Sequence, residues 1–402
     1  MANSIDATFP ELWATEFQDS FYKVNVGMKI CEFVDMNYGD TYHRAKRGTS
    51  TIQQITIGTD MTPRSISATD ESLTIDQKWG DFIEIEDFET DKSMYDLALR
   101  YGKDCSQAVS DKIDADVLYE VINSASYVDG GDVGGTAGTG IVLTAANAID
   151  VFAAAKMKLK KQKVTSSDLF CVVSPEFERF LTTAVANRDT IQGDEVGMNG
   201  YIGKYRGVKL YTSNNLTCTN VLAMATQPTD GDTVVIQGVT FTFKTTLGST
   251  AGNVLIGASA DAARANLTAL INAPATTTAQ GVALSAANQD LFVPYFTAVN
   301  NNTDNIMTVY GKGQGVTIVS ETFTDGTDTW TATLSLQRCL FGVVGNPALA
   351  LISKPKLTEK DVPKRLAKWY IIAAQYGLKT YTDNSRNMVD IRINASTYSY
   401  VA

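Results

Sequence analysis

The chain has 402 residues, of which 44% are hydrophobic and 19% charged, and a formal net charge of -10. At roughly 100–200 residues per domain this length holds two or three globular domains with a core large enough to need no disulfide staples. The acidic balance excludes a protein built to coat nucleic acid, whose footprint is basic, and leaves room only for weak, non-specific contact between one face and DNA.

Residues 1–45 mix aromatic and polar side chains, with Pro10 to Phe17 able to open a short helix. The remainder of this segment lacks a long clean period and reads as an arm that needs a partner surface. Residues 46–90 read as extended. Thr51 to Ile57, Ser72 to Asp76 and Phe82 to Glu86 alternate with period two, and Gly58, Asp60 and Pro63 stand between them as turn formers. The expectation is a long two-stranded ribbon, marginal on its own in water.

Residues 91–127 carry the strongest helical pattern. Met94, Leu97, Tyr101, Cys105, Ala108, Ile113, Val117 and Val121 form one apolar stripe, and Ser93 with Asp96 forms a capping box. Glycines at 130, 131, 134 and 135 follow it.

Residues 141–225 alternate in type. A helix through Ile149, Phe152 and Met157 ends in the basic run Lys156 to Lys163. Leu169 to Val173 is a buried strand, Ser174-Pro175 opens another helix, and Gly200 to Tyr211 is a turn followed by a strand. Between 226 and 336 Thr, Ala, Asn and Gly dominate, and Lys and Arg become rare. This stretch reads as an inserted β-rich domain. It holds a hairpin with a Gln237-Gly238 turn, a helix from Ala262 to Ala273, and strands at 306–310 and 329–334. Ala348 to Ile352 is a short buried strand, and 366–382 and 388–394 are two more.

Candidate chemistry is thin. The five cysteines, Cys31, Cys105, Cys171, Cys218 and Cys339, are scattered and odd in number. They make neither a disulfide framework nor a zinc site, and fit a reducing compartment. The one histidine, His43, excludes a His-based triad and a multi-histidine metal site within one chain. The glycine-rich stretch 130–140 follows a helix and lacks the GK[ST] ending of a phosphate loop. The basic run 156–163 is read as a solvated helix end, Asp304, Asp325 and Asp328 as solvated turns, and Glu84 and Glu86 as a polar strand face. No catalytic, cofactor-binding or metal-ligating residue is expected. Arg47, Arg64 and Lys78, on or beside the ribbon, are candidate contacts to a neighbouring copy, with Trp79 as an apolar anchor. No apolar run reaches the ~18 residues of a membrane span, and the first residues have no signal-peptide pattern, so no membrane partner is expected.

The order of arm, ribbon, long helix, mixed α/β domain and terminal strands resembles the α+β Hong Kong 97-like coat-protein fold of tailed bacteriophages. Three segments carry the local likeness: Gly200 to Asn215, Ala348 to Ile352, and Lys368 to Lys379 with its Tyr376-Gly377 pair. The resemblance implies an N-terminal arm at 1–45, an E-loop ribbon at 46–90 and a peripheral domain with its spine helix at 91–140. It implies an axial domain at 141–225 and 337–362, interrupted by the insert at 226–336, and closing peripheral strands at 363–402. Such a protein is a major capsid protein: it assembles with itself as hexamers and pentamers, and meets a scaffolding protein, a portal and a decoration protein. It is made in the host cytoplasm and ends in the virion around double-stranded DNA. The rival readings are another phage structural component, of tail or adhesion type, and an α/β hydrolase, which the single histidine disfavours.

Overall fold

The computed structural model describes residues 25–395 except 37, 49–51, 53, 56, 59–67, 88–96, 165, 167, 188–202 and 364. Two compact units result, and the long helix contributes to both. One comprises Trp79–Val109 with Lys354–Ala374; the other comprises Lys23–Lys78, Ser110–Ser353 and Gln375–Ala402.

In the first unit, strand β4 (Gln77–Glu86) pairs with β19 (Ala367–Lys379), which pairs with the second half of β18 (Ala348–Asp361). Gly80 lies where β4 and β19 approach each other. A Cβ there would stand 2.7 Å from the carbonyl oxygen of Ile372, so only glycine fits.

The second unit is built on a ten-stranded mixed sheet. Its spine runs through β9 (Thr217–Ala223), β17 (Leu336–Val343), β6 (Leu169–Val173), β8 (Val208–Thr212) and β7 (Lys204–Tyr205). On its other side β17 pairs antiparallel along its length with β20 (Met388–Asn394), which is followed by β5 (Ser126–Val128). All five residues of β6 are buried, as expected of a strand covered on both faces. Helix α2 (Ala148–Lys161) buries Ile149, Phe152 and Leu159. Helix α3 (Pro175–Ala186) starts where predicted: Ser174 Oγ accepts from the Phe177 N–H at 3.2 Å, and proline fills the first turn.

The stretch between β9 and β17 folds partly as its own sheet and partly as an extension of the large one. Its sheet runs β12 (Asn253–Leu255), β11 (Val239–Lys244), β10 (Thr233–Ile236) and β15 (Val319–Glu321). The β10–β11 turn is Gln237-Gly238 with φ of 49° and 78°, the left-handed pair that a two-residue hairpin requires. Strands β13 (Phe296–Asn301) and β14 (Ile306–Gly311) instead continue the ten-stranded sheet, with β14 pairing along β9 from Cys218 to Ala223. Leu222 and Met224 of the flank accordingly pack in one apolar cluster with Phe241, Phe243, Leu267 and Phe292. The expected helix at 262–273 is α4 (Ala260–Asn272), capped by Ser259. A second helix, α5 (Ala286–Tyr295), carries Pro294 near its end and has no clear stripe. The expected strand at 329–334 is only β16 (Thr329–Trp330), followed by a 3-10 turn.

The ribbon differs from its sequence reading. Its strands are β2 (Thr41–Arg47) and β3 (Ala68–Thr74), antiparallel from Thr41↔Thr74 to Arg47↔Ala68. The partner of the 72–76 segment is therefore a stretch assigned to the arm. Among the described residues of 51–57 there is no strand, and 82–86 lies in β4 against β19. Period-two patterns mark strands without naming their partners. Strand β1 (Glu32–Val34) pairs in parallel with the start of β18, Ala348 to Ala350.

Candidate functional site

The polar geometry that stands out holds the long helix α1 (Leu97–Tyr119) in place within the second unit. Sequence periodicity predicts one apolar stripe over 91–127, with its capping box outside the described residues. The helix found is followed by a 3-10 turn, Glu120–Asn123, and from Lys112 to Leu118 every residue is buried, charges included.

Those charges are each matched. Asp114 Oδ1 accepts from the backbone N–H of Val26 at 2.8 Å and of Gly27 at 2.5 Å, and its Oδ2 accepts from Asn215 Nδ2 at 2.8 Å. The carboxylate thus satisfies the start of a helical turn, Gly27–Ile30, and the turn that follows β8. Burial pushes the Asp114 carboxyl up, and the accepted hydrogen bonds oppose it. Two residues on, Asp116 accepts from Lys112 Nζ at 2.5 Å and from the Tyr376 hydroxyl at 2.6 Å, with Lys312 Nζ at 3.5 Å. Desolvation holds the Lys112 ammonium down at about 8 despite its carboxylate partner. One turn further, Glu120 accepts from Thr380 Oγ1 at 2.6 Å. Asp116 and Glu120 thus each take a hydroxyl from the segment 376–380. Next to Tyr376, Gly377 has no room for a side chain: a Cβ would lie 2.3 Å from the Thr74 carbonyl oxygen. The Tyr-Gly pair is therefore a hydroxyl anchor followed by a close backbone crossing.

A second buried link lies in the large sheet. Arg338 and Arg392 stand directly opposite each other on β17 and β20. Asp390 resolves the repulsion, accepting from Arg338 at 2.8 Å and Arg392 at 2.9 Å, while Arg338 Nε donates to Thr219 Oγ1 on β9 at 2.7 Å. Three strands are pinned by one carboxylate and one guanidinium.

The candidate contact residues fall on β2 and β4 where they are described. Arg47 ends β2 opposite Ala68, and Arg64 lies outside the described residues. Lys78 is exposed and Trp79 half-buried, adjacent along β4. His43 lies on β2, exposed, with Nδ1 2.6 Å from Asp70 Oδ2. Glu84 on β4 accepts from Trp369 Nε1 at 2.8 Å and Arg365 at 3.2 Å. The Trp369 hydrogen bond foremost, and then Arg365, hold its carboxyl below the usual range.

The glycine-rich stretch is an ordered turn. The Asp129 carboxylate accepts from the N–H of Gly131 at 3.1 Å and of Gly138 at 2.7 Å, the position an anion would take in a phosphate loop. Asp328 accepts from Ala225 and Thr226, whereas Asp304 joins Asn301 in a different turn. Among the described residues no group of three or more His, Cys, Asp or Glu forms a metal-binding cluster. The five cysteines are buried and free. Desolvation pushes Cys31 and Cys105 up to about 12, far from reactive thiolates. No helix among the described residues is long and apolar enough to cross a membrane.

Buried charge links, a two-stranded ribbon and a large mixed sheet organise the described residues. A family model described as "Phage capsid protein" matches residues 71–243. No curated protein matches the sequence. Among solved structures, a chain from Mycobacterium phage Che8 shares 14% identity with a TM-score of 0.57, over 97% of this chain and 98% of its own. A chain from the capsid structure of the cyanophage P-SCSP1u shares 12% identity with a TM-score of 0.55, over 98% and 95%. One from the asymmetric unit of the bacteriophage PhiM1 mature capsid shares 10% with a TM-score of 0.51, over 96% and 92%. The fold is therefore the Hong Kong 97-like coat-protein fold. The stretch that the family model matches, 71–243, takes in most of β3, the long helix and the strands of the large sheet from β5 to β9, and resembles phage capsid proteins over that length.

Proposed function

We propose that this chain is a major capsid protein, the main tile of an icosahedral head, assembling as hexamers and pentamers around double-stranded DNA and catalysing nothing. The observation that carries this reading is the match of the phage capsid family to residues 71–243, across most of β3, the long helix and half of the strands of the central sheet. A second support is physical. The ribbon β2–β3 buries little of its own surface: only Leu73 of β3 is fully buried, and Tyr42, His43, Arg44 and Ala45 are exposed. Surface of this kind is ordered by a neighbouring copy, and closed symmetry supplies one to every subunit.

In this reading 1–45 is the arm, which lends most of β2, 46–90 is the E-loop, and 91–140 is the peripheral domain with α1 as its spine helix. Residues 141–225 and 337–362 form the axial domain, 226–336 the insert, and 363–402 the closing peripheral strands. Arg47, Arg64, Lys78 and Trp79 are contacts to neighbours. A scaffolding protein and a portal act during assembly in the host cytoplasm, and the insert offers a site for a decoration protein. Sedimentation velocity of the purified chain over a concentration series tests the assembly claim. Growth into capsomers and larger closed species is expected; a small species independent of concentration, with or without a co-expressed scaffold, sinks it.

A further inference from the structure

We propose that a cationic groove on α2 receives the acidic, aromatic segment 5–22 of a second copy of the chain. The floor of the groove is Phe152, Ala153 and Met157, and its rim is Lys156, Lys160, Lys161 and Arg206. Met157 is 44% exposed, so the floor is open to a partner. Lys156 Nζ donates to the carbonyl oxygen of Arg206 at 2.6 Å, which ties the end of α2 to the apex of the β7–β8 turn and fixes the rim. Among the described residues none of the four cations has a carboxylate partner, whereas Lys158, on the other side of the helix, pairs with Asp132. Four unneutralised cations around an apolar floor run against the balance of a chain with net charge -10. Clustered like charges repel, and a complementary partner relieves that cost.

The segment 5–22 has the matching chemistry. It contains Asp6, Glu11, Glu16 and Asp19 and no lysine or arginine. Phe9, Trp13, Phe17 and Phe21 recur every four residues, so that a helical conformation aligns them as one aromatic stripe beside the acids. Laying such a stripe into an apolar groove with charged rims is the helix-in-groove mode of recognition. A DNA duplex would engage the cations and leave the apolar floor unused, so the acidic segment fits better. The choice of a second copy rests on the shell-forming reading.

The test is photocrosslinking in the full chain with Trp13→benzoylphenylalanine, in particles grown from mixed light and heavy-isotope subunits. Adducts between position 13 of one copy and α2 of another are expected. Lys160→Glu with Lys161→Glu should lower their yield about tenfold, the loss expected when two exposed ion pairs become repulsive. Adding Glu11→Lys with Glu16→Lys should restore it, a rescue that a merely misfolded variant does not show. Adducts confined to one isotope, adducts on another surface, or a yield unmoved by charge reversal overturn the proposal. So does a reversal that abolishes binding of a short DNA duplex and leaves the crosslink intact. Shells that form without the α2 adduct sink the groove alone; absence of any assembly sinks the capsid reading.

Discussion

Asp116→Ala is the sharpest test of what holds the long helix. The substitution takes the Asp116 carboxylate away from Lys112, 4% exposed, and removes the acceptor of the Tyr376 hydroxyl. Breaking a buried ion pair from one side costs about 3–5 kcal/mol, and losing a hydrogen bond to a charged group about 1.5–3. The two losses share one carboxylate, so about 4 kcal/mol is expected in urea unfolding of dissociated subunits, read as a fall in midpoint at unchanged slope. The loss depends on pH. In the parent, Lys112 has a folded value of about 8 against an ordinary 10.5. A depressed lysine means that the unfolded chain binds more protons above pH 8, so this group adds stability as pH rises from there toward 10.5. Without Asp116 the folded value drops further and that gain begins earlier. The deficit of the variant therefore shrinks as pH rises toward about 8 and then stays level. Lys112→Met with Asp116→Leu should recover most of the loss, because an apolar pair needs no counter-charge. A deficit of Asp116→Ala under about 1 kcal/mol, or one flat across this range, would refute the reasoning.

Three further outcomes follow from the same geometry. Gly377→Ala places a methyl 2.3 Å from the Thr74 carbonyl oxygen and should destabilise by about 1–3 kcal/mol or yield insoluble chain, read by solubility and midpoint. Asn272 donates to and accepts from the backbone of Ala298, both at 2.8 Å, closing the outer edge of β13. Asn272→Ala should cost about 1–3 kcal/mol and speed hydrogen exchange at the Ala298 amide while leaving β6 and β17 unchanged. Trp369→Phe removes the main hydrogen bond that lowers Glu84, and the carboxyl resonance of Glu84 should then titrate closer to the ordinary glutamate range, with Arg365→Gln moving it less; no movement contradicts the assignment.

The sequence was most legible where local chemistry alone decides. Ser174-Pro175 starts a helix because the serine caps and the proline needs no donor. Gln237-Gly238 makes a hairpin because both residues take positive φ. Pairing was less legible. Strand β3 takes β2, and β4 takes β19, because register is settled by burial against distant segments and not by alternation within a strand. The stretch 226–336 announced itself by composition, yet its strands β13 and β14 extend the large sheet and share its flank's apolar cluster, which no change in residue usage reports. The buried ladder was illegible for a related reason. Lys112, Asp114 and Asp116 look like the wet face of an amphipathic helix, and only tertiary partners such as Gly27, Asn215 and Tyr376 make them interior. The one signal within reach was the density of charge on a helix followed far downstream by a Tyr-Gly pair.

Electron microscopy of the protein expressed alone, and then with the genes that adjoin its own, tests the central claim most directly. Closed shells, or curved sheets and spirals of six- and five-fold capsomers, are the predicted result, with the subunit fold recoverable from each tile. Tubes, rings or discrete trimers under both conditions would contradict a head-shell subunit and favour a tail or adhesion component.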